Sequence, residues 1–183
     1  MKRIISARLG QVAVVWLIAF FSFSAHAALS PEVSRGITWL QSQVQTDGSV
    51  LNENLSVATP VQSRAEVLVT LKQLATTPPA LIDLLAADPE NNTEYLARRA
   101  LVLTMAGRDN SILLSTLTVR QNIDGGFSGE IDHESNISDT ARVLLAFAYA
   151  GQGGSSTASA ARDYLIGNVR LMAACRESQT SIA

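Results

Sequence analysis

The stretch Gln121-Asn122-Ile123-Asp124-Gly125-Gly126-Phe127 constrains the fold most, because a weaker copy stands at Gln45-Thr46-Asp47-Gly48-Ser49. An Asp-Gly reversal between helical patterns, met twice in one chain, predicts a repeating all-α architecture. A second regularity supports it. Ala97 through Gly107 lines up with Ala141 through Gly151, with an offset of 44 residues. Gln45 and Gln121 are 76 residues apart, room for two helical hairpins. The expected fold is therefore a curved or closed array of helical hairpins.

The helical segments follow from apolar spacing and stop signals. Ser30 can cap a helix over 31–44, with Pro31 at its first position and Val33, Ile37 and Leu40 on one face beside Trp39. A second helix begins near Pro60 or Val61 and runs through Leu74, with Ala65, Leu68 and Leu71 as its stripe. Thr77-Pro78-Pro79 breaks the pattern, and a short helix over 81–87 follows. Asn92 or Thr93 can cap a helix over 94–106, with Leu96, Ala100 and Leu103 inward and Glu94, Arg98 and Arg99 in water. A helix over 111–120 uses Leu113, Leu114 and Leu117. The next starts at Ser138 or Asp139 and carries Ala141, Leu144, Leu145, Ala148 and Tyr149, and the last covers 157–170 with Ala161, Tyr164, Leu165 and Ile166.

The N-terminus reads differently. Lys2, Arg3 and Arg8 precede an apolar run from Val12 to Phe23, and Ala25-His26-Ala27 supplies a small-x-small cleavage pattern. Residues 1–27 are thus expected to be an export signal, leaving a repeat domain over 28–170 and an irregular tail over 171–183. The run is short for a membrane span, so no stable span is expected after cleavage, although a retained anchor is the alternative. The expected destination is the periplasm or the extracellular space if the source is bacterial. Removing the three basic residues of the signal from the 14 in the chain leaves 11 against 16 acidic ones, a charge of −5. That balance argues against a nucleic-acid partner. Cys175 is the only cysteine, so no intrachain disulfide can form. Asn54-Leu55-Ser56, Asn91-Asn92-Thr93 and Asn136-Ile137-Ser138 fit the glycosylation acceptor pattern, which matters only in a eukaryotic source.

Two segments resemble the repeat of the terpenoid cyclase and protein prenyltransferase superfamily. Arg35-Gly36-Ile37-Thr38-Trp39-Leu40 followed by Gln43 and Asp47-Gly48-Ser49 is one; Leu117, Gln121 and Asp124-Gly125-Gly126-Phe127 form the clearer one, with Phe127 where tryptophan is usual. The resemblance implies a partial α/α toroid or curved array of helical hairpins over residues 31–170, built on the concentric hairpins of squalene and hopene cyclases. Trp39, Gln43, Asp47, Gly48, Gln121, Asp124, Gly125, Gly126 and Phe127 are then structural repeat residues. Their chemistry suits that role. Glycines permit a tight reversal, Asp124 can bond local amides, Gln121 can tie the preceding helix to the turn, and Phe127 can cover the junction.

The resemblance also suggests where a cyclase acid would stand, and the sequence departs from it. In Asn136-Ile137-Ser138-Asp139-Thr140-Ala141, Asn136 and Ser138 occupy positions that carry Asp in the acidic motif, and Asp139 alone is retained. Amide and hydroxyl groups cannot supply the proton that makes a carbocation. No catalytic residue is therefore expected; Asp139, Asp132 and Glu134 are the alternatives, with Asp139 better suited to a helix cap. No metal or cofactor is expected either, and Asp132, His133 and Glu134 are the alternative ligands. The sequence lacks a further Asp-Gly turn after residue 170, so a truncated array, a capped short solenoid or an oligomer covering an open edge are the expected states. The function expected is an exported, non-enzymatic helical-repeat scaffold or binding module for a protein partner or an apolar small molecule. The alternative is an isoprenoid cyclase-like enzyme or an apolar-ligand carrier.

Overall fold

A computed structural model describes residues 29–74 and 78–180. The expected export signal lies outside the described residues, as do Thr77 and the side chain of Cys175. The chain divides into two units, Met1–Ser34 and Arg35–Ala183. Of the first, the described part is a helix start, where Ser30 Oγ accepts from the Val33 amide at 3.4 Å. Among the described residues, seven α-helices follow one another: α1 (Pro31–Ser42), α2 (Pro60–Leu74), α3 (Pro79–Ala86), α4 (Thr93–Met105), α5 (Ser111–Val119), α6 (Ile137–Tyr149) and α7 (Ser156–Thr180). A 3-10 turn, Glu53–Leu55, lies between α1 and α2. Among the described residues there is no sheet, and two isolated antiparallel bridges join Val44 to Val50 and Phe127 to Asn136.

Helices α4 and α6 have the same length and start 44 residues apart, and the same local chemistry sets both ends. Asn92 Oδ1 accepts from the Glu94 amide at 2.9 Å, and Asn136 Oδ1 from the Asp139 amide at 2.8 Å. Each cap is followed by an acid in the first turn, which suits the positive end of the helix dipole. At the other end, the Arg108 amide reaches Leu103 O at 2.9 Å and the Gln152 amide reaches Phe147 O at 2.8 Å. These six-to-one bonds close around Gly107 and Gly151, both at positive φ. The protein is a helical repeat at this level. Pro79 opens α3 at its first turn, two residues earlier than apolar spacing suggests, because a missing amide costs nothing there. Helix α7 runs on to Thr180, so residues 171–180 are helical rather than an irregular tail; no proline interrupts them.

Helices α2, α4 and α6 form a row, bridged by α3 and α5. α4 packs against α2 on one side and α6 on the other; α3 packs on α2 and α4, α5 on α4 and α6, and α7 on α6. Gln62 meets Glu94 and Glu66 meets Arg98 with the same sequence separation, so α2 and α4 run parallel. Asn92 and Asp139 both border Gly129, bringing the starts of α4 and α6 to one end. Apolar clusters lie on either side of α4. One gathers Leu68, Leu81, Leu85 and Val102; the other gathers Leu96, Leu117, Phe127, Phe147 and Ala161.

This arrangement revises three sequence expectations. Arg98 and Arg99 are both buried, at 8% exposure, because α2, α3, α5 and α6 flank α4 and the Glu66 and Glu94 carboxylates cover Arg98. Arg99 spends its donors on backbone carbonyls: Nε to Leu85 at 3.0 Å, Nη2 to Ala86 at 3.0 Å and Nη1 to Glu90 at 3.2 Å. Helix α6 buries Thr140, Val143, Ala146 and Phe147, while Ala141, Leu145, Ala148 and Tyr149 are exposed. Its orientation is fixed by the Thr140 hydroxyl, which accepts from the Phe127 amide at 2.9 Å. Helix α1 buries nothing, and Trp39 is 63% exposed.

Both Asp-Gly reversals have the same backbone pattern. The Gln45 amide bonds Ser49 O at 2.8 Å and the Asn122 amide bonds Gly126 O at 3.0 Å, so Gln45 matches Asn122. The true offset is 77 residues, one more than the glutamines suggest. Asp47 Oδ1 accepts from the Ser49 amide at 2.9 Å, which helps hold its carboxyl below the usual range. Asp124 Oδ1 accepts from the Gly126 amide at 2.9 Å. Gly48 and Gly125 have φ of 89° and 83°. A Cβ on Gly48 would lie 2.2 Å from Ala80 O, and one on Gly125 would lie 2.8 Å from Ala160 O, so each turn presses on the start of a later helix. Gln121 makes that contact polar, its Nε2 donating to Gly125 O and to Thr157 O at 2.9 Å each. Gln43 Nε2 bonds the Trp39 carbonyl at 3.3 Å, within its own helix end.

Candidate functional site

The row of α2, α4 and α6 carries a shallow cavity of about 140 Å³, lined by Ala65, Glu66 and Val69 of α2, Ala97, Arg98, Leu101 and Val102 of α4, and Arg142 and Leu145 of α6. The repeat generates half of it. Arg98 and Leu101 recur 44 residues on as Arg142 and Leu145, so two parallel helices present the same cation and apolar side chain to one face. The floor is apolar and the rim is charged.

The rim charges are paired across helices. Glu94 sits at the centre: Gln62 Nε2 donates to its two oxygens at 3.1 and 3.0 Å, Arg98 Nε at 3.0 Å, and Arg142 Nε lies 3.2 Å from Oε1. Arg98 also forms an ion pair with Glu66. Arg98 is thus held by two carboxylates and is nearly enclosed. Arg142 is more open, with a side-chain exposure of 38%. The network holds two positive and two negative groups, so it balances without an external ion.

A larger hollow, about 630 Å³, lies against the second turn and contains Asp124, Asp132, His133, Glu134, Ser135, Tyr164 and Asn168. It is a wet surface groove, since Asp124, Asp132, His133 and Glu134 are all exposed. Asn122 Nδ2 ties it together by donating to His133 O at 3.0 Å and Ser135 Oγ at 2.9 Å, and Ser135 Oγ donates to Asp124 Oδ1 at 2.8 Å. Tyr164 donates to Ser135 O at 2.9 Å. Burial, then the nearby Asp124 charge, pushes the Tyr164 hydroxyl pKa above its ordinary value. Asp132, His133 and Glu134 follow one another in this loop. Among the described residues, no group of three or more His, Cys, Asp or Glu side chains is placed to hold a metal ion.

Asp139 stands apart from both hollows. Its amide bonds Asn136 Oδ1, and Asn136 Nδ2 donates back to Asp139 Oδ2, a reciprocal cap at the start of α6. Asn92 Nδ2 donates to Glu130 Oε1 at 3.1 Å at the same end. The sequence-expected acids are therefore spread over a helix cap and an exposed loop, and none lines the apolar cavity. The residues that do line it escaped motif reasoning because three non-adjacent helices supply them. The available signal was the 44-residue offset that superposes Arg98 on Arg142.

Among the described residues, no helix is long and apolar enough to cross a membrane. No protein-family model, curated protein or solved structure matches the chain.

Proposed function

We propose that the protein is an exported, non-enzymatic helical-repeat binding module, a partial α/α toroid of the terpenoid cyclase and prenyltransferase type, which holds an apolar group on its α2–α4–α6 face. The observation that carries this reading is the cavity between the Arg98–Leu101 and Arg142–Leu145 pairs. Its apolar floor offers burial, and its carboxylates are already engaged by Arg98, so it is suited to holding a group rather than protonating one. Export is supported by the basic, apolar and small-residue order of residues 1–27.

The size of the cavity suggests the probe. A dry cavity of about 150 Å³ takes a benzene-sized molecule, so benzyl alcohol is an appropriate neutral test ligand. In a chemical-shift titration of the full chain, the largest changes are expected over residues 97–102 and 142–145. Leu145→Trp, at the exposed mouth, is expected to abolish them while leaving the fold intact. Changes centred on other exposed apolar side chains, such as Leu55, Val57 or Ile123, or no saturable changes, would contradict the reading.

A further inference from the structure

We infer that the ligand of this cavity is a small monocarboxylate with a ring-sized apolar body, its carboxylate held by Arg142. The inference rests on the binding reading above and adds the charge of the ligand. Among the rim groups, Arg98 is saturated by Glu66 and Glu94 and has only 9% side-chain exposure. Glu94 is occupied by Gln62, Arg98 and Arg142. Arg142 differs. It approaches Glu94 through Nε at 3.2 Å, its side chain is 38% exposed, and among the described residues neither of its Nη atoms makes a hydrogen bond. A guanidinium with both terminal amino groups open is built to take a carboxylate through two parallel bonds. Leu145, one helical turn on, borders the same cavity, so an apolar body can lie on the floor while its carboxylate meets the arginine.

Glu66 is the opposing charge. It belongs to α2, on the far side of α4 from Arg142, and its side chain is 64% exposed. Its charge is offset by Arg98, and it favours ligands whose carboxylate lies towards α6. Removing it is expected to tighten binding of the anion, because Arg98 would then retain only Glu94.

The test compares phenylacetate with benzyl alcohol, which share the ring and differ in charge, by chemical-shift titration of the full chain. Phenylacetate is expected to bind roughly tenfold more tightly, the size of one charge-assisted contact, with the advantage shrinking as salt is added. Arg142→Gln is expected to remove that advantage, Arg142→Lys to keep part of it, and Glu66→Gln to enlarge it. If both probes shift the cavity residues equally, or the preference survives Arg142→Gln, the assignment to Arg142 fails while the binding reading stands. If neither probe shifts those residues, the binding reading itself fails and takes this inference with it.

Discussion

Replacing Arg99 with methionine is expected to cost about 3 kcal/mol of stability, roughly 1 kcal/mol for each of the three hydrogen bonds lost. Those carbonyls belong to Leu85, Ala86 and Glu90, at and just beyond the end of α3. The last four carbonyls of any helix lack intrahelical partners, and α3 has neither a glycine cap nor a basic residue in its own last turn. A cation from α4 fills that role, where it also meets the negative end of the dipole. Burial lowers the Arg99 pKa and the Asp88 charge partly restores it; an arginine remains charged regardless. Methionine keeps the apolar stem, so the loss reports the donors rather than the packing. Arg99→Lys should recover only part, since a point ammonium cannot reproduce a planar fork. Urea unfolding followed by circular dichroism would measure this through a lower midpoint at unchanged slope. An unchanged midpoint would show that the carbonyls are as well satisfied without the guanidinium.

Phe127→Ala is expected to be as damaging, about 3–5 kcal/mol, the usual range for deleting a fully buried aromatic ring. Phe127 has no exposed surface and is among the largest side chains in the cluster that joins α4, α5, α6 and α7. Its backbone is equally committed: its amide bonds Thr140 Oγ1, and its carbonyl accepts from the Asn136 amide at 2.8 Å. The substitution therefore opens a cavity at the point where the second turn meets α6. Val50 occupies the matching position of the first turn and is only partly buried, so Val50→Ala should cost much less, about 1 kcal/mol. Thermal or denaturant melts of the two variants would compare the turns directly. Equal losses would mean that the turns carry equal weight despite their different burial.

The contrast between the turns explains what the sequence could reveal. The reversals were legible because Asp-Gly has few alternative backbone uses, and α4 and α6 because their caps and glycine stops recur at one spacing. Matching glutamine to glutamine nevertheless misplaced the turn register by one residue. Gln121 reaches out to Thr157, whereas Gln45 reaches Gln43 O at 3.5 Å, beside its own turn, so like residues do unlike work.

Burial was harder to read where tertiary contacts decide it. In α6, Leu144, Leu145, Ala148 and Tyr149 make as plausible an apolar stripe as Val143, Ala146 and Phe147. The Thr140 hydroxyl at Phe127 selects the second. In α4, two consecutive arginines look solvated until carboxylates of α2 and α4 cover one and the carbonyls at and just beyond the end of α3 take the other. Helix α1 shows the opposite error, an apolar pattern that buries no side chain. The candidate cavity is a product of three helices, and only the recurrence of Arg and Leu at a fixed offset foreshadowed it.

Helix α4 is the keystone of the array, contacted by α2, α3, α5 and α6, whereas α1 buries no side chain. Native-state amide hydrogen exchange on the full chain tests that ordering residue by residue. The slowest exchange is expected in the interior of α4, around Ala100–Leu103, followed by the buried turns of α6, with α1 exchanging near the rate of local fraying. Protection in α1 equal to that in α4, or exchange in α4 as fast as at the helix ends, would contradict a repeat array built around that helix.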